Sequence, residues 1–310
     1  MYYCDMKKKS LLLILALFTF CDVLNAQSSD EDSPSLIYLG QTPPDTVPQK
    51  FAPGILSLDN RYEFGITISE AGDEIYFGID IGDKPEIHVT TLMDGKWNNP
   101  EPLLVDNEIG YNDPMLSPDE SRLYFISTAS LNGKAPAKDP DLWYMERTTD
   151  GWGSPINAGP VINSAKKDFY VSFADNGTLY FGSNINSAED RPFDYDIYRS
   201  ELKNGVYQEP ERLPAPINTR WYELDVFIAP DESYMIFAAS WKEGLGQGDL
   251  YISFAESNGA WSSPQNMGTP INDEGHQLCP VLSKDGKYFF YTSNKDIYWV
   301  SASIIDSYRE

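Results

Sequence analysis

Asp113 to Tyr144 opens with DPMLSPDESRLYFIS, runs through a polar loop and closes with DLWY, and the chain writes this stretch five times. Each copy ends on an acidic residue, a hydrophobic residue and a ring: Glu86-Ile87-His88 in a degenerate first copy, then Asp141-Leu142-Trp143, Asp196-Ile197-Tyr198, Asp249-Leu250-Tyr251 and Asp296-Ile297-Tyr298. Successive copies lie 55, 55, 53 and 47 residues apart. A period of about 40 to 55 residues with several short strands per unit is that of a β-propeller, one blade per repeat.

Within a repeat the pattern places four strands. The first is PMLS in the second copy, then VSFA from Val171, VFIA from Val226 and PVLS from Pro280. A tight turn follows (PDES, DNG, PDES, KDG), with Gly or Asp where positive backbone angles are needed. The second strand begins at Ile75, Leu123, Leu179, Met235 and Phe289 and is nearly continuous in apolar residues, which suits a strand covered on both faces. The third carries the acid-hydrophobic-aromatic motif. The fourth follows a turn and an aromatic-x-x-Pro (Trp97 and Pro100, Trp152 and Pro155, Tyr207 and Pro210, Trp261 and Pro264), and proline is tolerated there because an outermost strand is a sheet edge. The three tryptophans are expected to anchor their blades. Ile162-Asn163, Ile217-Asn218 and Ile271-Asn272 then lead back toward the axis.

The fifth copy ends in SASIIDSYRE without its aromatic-x-x-Pro strand. FAPGILSLD at the other end of the chain puts Pro53 at a similar distance from the first innermost strand, so Gly54 to Leu58 are expected to supply the missing strand. The fold class is therefore all-β: a single propeller of five four-stranded blades, with six as the alternative, closed by an N-terminal strand.

Lys7 to Lys9 precede an apolar run from Leu11 to Phe20, and Leu24-Asn25-Ala26 ends in a small residue. Residues 1–26 thus read as a secretory signal, too short an apolar run for a membrane span. Residues 27–50 read as a polar, Pro-rich leader, and 51–310 as the propeller domain. The expectation is an exported protein, periplasmic or extracellular, with no membrane insertion after signal cleavage. Cleavage leaves Cys279 as the single cysteine, so the fold must rest on packing, and Cys279, in CPVLS, reads as a small core residue. With 47 acidic against 23 basic residues the formal net charge is −24, which repels phosphate backbones and anionic headgroups and argues against a nucleic-acid partner.

SPDESRLYFIS…DLWY, followed by the W-x-x-P and I-N pieces, resembles the WD-like β-propeller repeat of TolB-like exported bacterial proteins, in which a Pro-Asp turn precedes an L-Y-F strand and a D-I-Y strand. The resemblance covers about residues 62 to 301. The first copy departs from it, with SEAGDE for the turn and EIH for DIY, and the third has FADNG. What it implies is an exported binding or scaffolding module for a protein or glycan partner in the bacterial envelope.

No catalytic motif stands out. There is no G-x-S-x-G, P-loop, dinucleotide fingerprint or H-E-x-x-H, and the two histidines, His88 and His276, fall in repeat positions. Carboxylates are the one enzyme reading, since five-bladed propellers include glycosidases with acids at the start of the innermost strands. Glu63, Asp113, Asp168, Glu223 and Asp225 stand near such positions. The acid repeated in every third strand, Asp141, Asp196, Asp249 and Asp296, instead suits a common strand-to-strand hydrogen bond. No cofactor is expected; Asp139 and the acids Glu189, Asp190 and Asp194 could ligate calcium, but no D-x-D-x-D-G loop is present. Residues leading into the innermost strands should line one mouth of the axis, and they are Glu63, Asn112, Asp113, Asp168, Glu223, Asp225, His276 and Gln277, with Tyr111 and Tyr222 beside them. That acidic and aromatic set suits a glycan, a basic peptide or a divalent cation.

Overall fold

The computed structural model describes residues 37–82, 84–131 and 136–309; the expected signal and residues 27–36 of the leader lie outside them. The described chain forms five antiparallel sheets arranged as the blades of a propeller. From the axis outward the strands are Tyr62–Ile68, Glu74–Asp80, Pro85–Met93 and Glu101–Leu104 in the first blade. Tyr111–Leu116, Arg122–Ala129, Pro136–Thr148 and Ile156–Asn157 make the second, and Asp168–Phe173, Leu179–Ser183, Asp196–Ser200 and Glu211–Arg212 the third. Glu223–Ile228, Tyr234–Ala239, Asp249–Phe254 and Gln265–Asn266 make the fourth. The fifth has Gln277–Leu282, Tyr288–Ser293 and Asp296–Ser301 from the end of the chain.

Its outer strand comes from the other end of the chain, but from Gln49–Lys50 rather than Gly54–Leu58. Gln49 pairs with Trp299 and Lys50 with Tyr298. Pro48 precedes this pair as Pro264 precedes Gln265–Asn266, but Asp45 stands where the other blades carry an aromatic, so the aromatic-x-x-Pro pattern passes over it. Gly54 to Leu58 instead form the returning turn, with Gly54 N donating to Ser57 O at 2.8 Å. Upstream of residue 51, Tyr38 is also buried, against Tyr288, Phe290 and Trp299. The propeller therefore begins well inside the expected leader.

The repeated residues account for one another. In the last four blades the acid of the third strand holds the outer strand of its own blade: Asn157 donates to Asp141 at 3.0 Å, Arg212 to Asp196 at 2.6 Å, Asn266 to Asp249 at 2.7 Å, and Lys50 pairs with Asp296 at 2.8 Å, whereas Glu86 of the first pairs with His88 at 3.1 Å. The asparagine of each Ile-Asn pair grips the same third strand by both ends of its amide. Asn218 Oδ1 accepts from Ile197 N at 2.7 Å and its Nδ2 donates to Ile197 O at 2.7 Å; Asn163 does the same to Leu142 and Asn272 to Leu250. The buried third-strand N–H groups are thereby satisfied, and the carbonyls, which also accept from Ala158 N, Leu213 N and Met267 N, gain a second donor.

Trp97, Trp152 and Trp261 are half-buried, each packed on the edge of one of three apolar clusters. Trp152 also bridges blades, its Nε1 donating to Tyr76 of the first blade at 3.1 Å while Arg147 lies 4.3 Å above its ring. The tryptophans sealed into the core are Trp143 and Trp299.

Candidate functional site

Every innermost strand carries a β-bulge at the same place. The register slips by one residue between Phe64 and Ile66, Asn112 and Met115, Phe169 and Val171, Leu224 and Phe227, and Leu278 and Val281. The residue at the slip adopts positive φ in all five blades: Gly65 (51°), Asp113 (49°), Tyr170 (47°), Asp225 (49°) and Cys279 (52°). A bulge bends its strand and re-aims the side chains around it. Three consecutive residues per blade consequently take three different jobs.

The first residue of each triplet latches the loop arriving from the preceding blade. Glu63 accepts from Leu58 N at 3.4 Å and Arg61 Nε at 2.5 Å; Asp168 accepts from Ser164 N at 2.6 Å; Glu223 accepts from Thr219 N at 3.0 Å and Trp241 Nε1 at 2.5 Å. Gln277 does the same for Asp273 N at 3.3 Å. All four are fully buried. Burial pushes the Asp168 carboxyl up to about 6 and that of Glu223 up to about 7, their hydrogen bonds pulling the other way; Glu63 is raised for the same reason. Tyr111 occupies this position in the second blade, buried edge-on against Phe125, and Asp106 caps the loop there instead.

The second residue of each triplet, Phe64, Asn112, Phe169, Leu224 or Leu278, lines a depression of about 380 Å³ at the mouth of the axis. Tyr62, Tyr195, Tyr222 and Phe193 complete its walls, with Asp80 and Pro85 at the rim. The rings meet edge to face: Tyr62 on Phe64 at 5.4 Å, Phe169 on Tyr195 at 5.8 Å and Tyr195 on Tyr222 at 5.6 Å. Lys167 reaches to 5.8 Å from the Phe193 ring.

The third residue reaches the axis and fills it. Tyr170 crosses from the third blade to donate to Pro280 O at 2.8 Å, and it is only 1% exposed. Cys279 Sγ lies 3.5 Å from Asp113 Oδ1 and 3.9 Å from Asp225 Oδ2, and Cys279 N donates to Asp225 Oδ2 at 3.2 Å. The first blade has glycine here because a Cβ at Gly65 would lie 2.8 Å from Asp113 Oδ1 and 3.1 Å from its Cα. Burial, reinforced by repulsion from Asp225, pushes Asp113 up to about 8; burial also raises Asp225, and it carries the Cys279 thiol well above its ordinary range. Cys279 is thus an axial residue as well as a buried one, inert as a nucleophile.

Of the sequence candidates, the fold brings Asn112, Asp113, Tyr222 and Asp225 together at the mouth. Glu63, Asp168, Glu223, Gln277 and Tyr111 turn away from it. His276 is exposed, bridged to Gly248 at the entry to the fifth blade. Tyr62, Phe169, Tyr195 and Cys279 were not anticipated. Aligning the repeats on their second strands would have placed Cys279, which is then level with Asp113; Phe169 falls one position out of line because the third blade's turn is a residue shorter, and nothing in the sequence marks the bulge itself. Among the described residues no group of three or more His, Cys, Asp or Glu side chains is arranged to hold a metal ion, and Asp194 of the candidate calcium run pairs with Arg191 at 3.0 Å.

Fold and site together define a five-bladed β-propeller with a filled axis and one aromatic mouth. No protein-family model matches the chain and no curated protein matches it in sequence. Solved structures that it resembles include the endo-arabinase of Bacteroides thetaiotaomicron, at 13% identity over 83% of this chain and 96% of that one, with a TM-score of 0.52. A Dyadobacter fermentans protein of unknown function matches at 12% identity over 84% of each chain, with a TM-score of 0.50. TolB of Acinetobacter baumannii matches at 14% identity and a TM-score of 0.47 over 77% of this chain, which spans 54% of TolB's length. At such identities the likeness is one of fold alone. No helix among the described residues is long and apolar enough to cross a membrane.

Proposed function

We propose that this protein is an exported, non-catalytic binding module of the bacterial envelope whose protein or glycan ligand enters the axial mouth. One observation carries the reading. Three of the five acids at the strand entries, where five-bladed enzymes could keep their chemistry, are consumed as loop latches (Glu63, Asp168 and Glu223), whereas the mouth is an open aromatic depression above a sealed floor. Concave surfaces lined by rings with a few converging polar groups are the default binding sites of folded proteins. Export follows from the signal-like residues 1–26. The test is a peptide and glycan array probed with the parent protein and with Tyr195→Ala and Tyr222→Ala. A ligand retained at full affinity by both variants would move the site elsewhere.

Asp113 and Asp225 keep a second reading in view, because two buried carboxyls with raised pKa values could divide acid and base roles in glycoside hydrolysis. Against it, the Cys279 side chain already touches both carboxyls, at 3.5 Å and 3.9 Å. Aryl glycosides should therefore not turn over. Hydrolysis that disappears in Asp113→Asn would replace the binding reading with the enzymatic one.

A further inference from the structure

The mouth holds two carboxyls that no cation of the described chain answers. Asp113 and Asp225 are both more than nine-tenths buried, and neither forms an ion pair with a described Lys, Arg or His; their polar contacts are to the Cys279 thiol and amide. Buried carboxylates without a counter-charge are costly, so such a pair is retained where something outside the chain completes it. Above them stand Tyr62 and Phe64 on one side and Phe169, Tyr195 and Tyr222 on the other, and the faces of such rings attract cations. No basic residue lines the depression. Ile81, Leu131 and Leu245 are exposed on the loops after the second strands of the first, second and fourth blades, and Trp221 just before the fourth blade's innermost strand, all at the end of the blades where the innermost strands begin.

From this arrangement we propose that the mouth takes the ammonium or guanidinium head of a lysine or arginine side chain presented by a basic protein segment. The aromatic walls would hold the methylenes and the face of the head group, the Asp113–Asp225 floor would neutralise it, and the exposed apolar loop residues would meet the flanking segment. The proposal rests on the reading of the mouth as a ligand site and adds its chemistry. A formal charge of −24 also draws basic segments toward the protein. The titratable groups facing the pair are Cys279, Tyr62, Tyr170 and Tyr222, with Asp80 beside Tyr62, so nothing but carboxyls changes charge near neutrality. Burial holds protons on the pair, and capture of a cation therefore releases one.

The probes are acetyl-Ala-Ala-Lys-Ala-Ala-amide and its norleucine counterpart, titrated calorimetrically into the full chain at low salt in two buffers of different ionisation enthalpy. The lysine peptide should bind at least about tenfold tighter than the norleucine peptide, weaken with salt, and show a buffer-dependent heat from proton release. Asp113→Asn with Asp225→Asn should erase that preference, and asparagine tolerates the positive φ at both positions. Tyr195→Ala, which leaves the axis intact, should weaken the lysine peptide about fivefold if the double variant fails to fold. Equal binding of the norleucine peptide, or an unchanged preference in a folded double variant, overturns the cation reading and leaves the mouth as a site for neutral ligands. Free spermidine binding as tightly as the peptide overturns the protein-borne source. If no ligand of the array engages the mouth at all, the binding reading falls and takes this one with it.

Discussion

Replacing Tyr38 with alanine tests whether the N-terminal segment closes the ring energetically as well as topologically. Tyr38 is 6% exposed and packs its ring 5.0 Å from Tyr288, 5.4 Å from Trp299 and 6.1 Å from Phe290, so it covers the fifth blade just where Gln49–Lys50 completes the sheet. Removing a buried ring leaves a cavity that its neighbours fill only in part, and large aromatic truncations cost about 3 to 5 kcal/mol. The hydroxyl contributes little by comparison, since its bond to Asp285 is 3.3 Å long and Asp285 keeps Ser283 and Lys287 as partners; Tyr38→Phe should cost no more than about 1 kcal/mol. For a domain of this size, about 3 kcal/mol lowers the melting temperature by roughly 6 to 12 °C. Thermal and urea melts of Pro34–Glu310, the compact unit, with and without each substitution, measure the difference. A chain starting at Phe51 also loses the Gln49–Lys50 ladder and the bond from Ser301 N to Asp45 O, and should melt lower still. If Tyr38→Ala and the chain starting at Phe51 both melt with the parent, the segment decorates the ring without closing it.

Asn218→Ala should cost about 2 to 3 kcal/mol, because Ile197 N and Leu213 O lose their partner in the buried amide, while Ile197 O keeps Leu213 N; a melt unchanged within error would show the amide clamp to be dispensable. Trp152→Ala should be milder than Trp299→Ala, since the first ring is half-buried at a hairpin and the second is sealed in the core, and urea midpoints in the reverse order would contradict that ranking. Stability should fall as pH rises from about 5 to about 8: Asp168, Glu223, Asp113 and Asp225 all have folded-state pKa values above their unfolded ones, so over that window the folded chain holds protons the unfolded chain has lost. Asp113→Asn should flatten this slope, and a parent melting curve that rises across the window would show the raised values to be wrong.

The architecture was legible because a propeller writes its strands five times, and repetition turns weak strand signals into a firm count. The chemistry was harder to read for a physical reason. Strand alternation assigns side chains to faces by parity, and a bulge resets parity without leaving a residue that announces it: Gly, Asp, Tyr, Asp and Cys fill the same positive-φ site in the five blades. Glu223 and Asp225 therefore looked like members of one acidic mouth, although the first ends as a latch on Thr219 and the second at the axis beside Cys279. The closing strand was misplaced for a related reason, since Pro48 lacks the aromatic that marks the other outer strands while Pro53 has the expected spacing. The misplaced closing strand falls where one blade departs from the others, whereas the bulge is common to all five. Features shared by four blades, such as the third-strand acid bonded to its own outer strand, serve the fold. The axial site is the same backbone conformation filled differently in each blade, and the shared geometry brings its two carboxyls, thiol, phenol and glycine to one point.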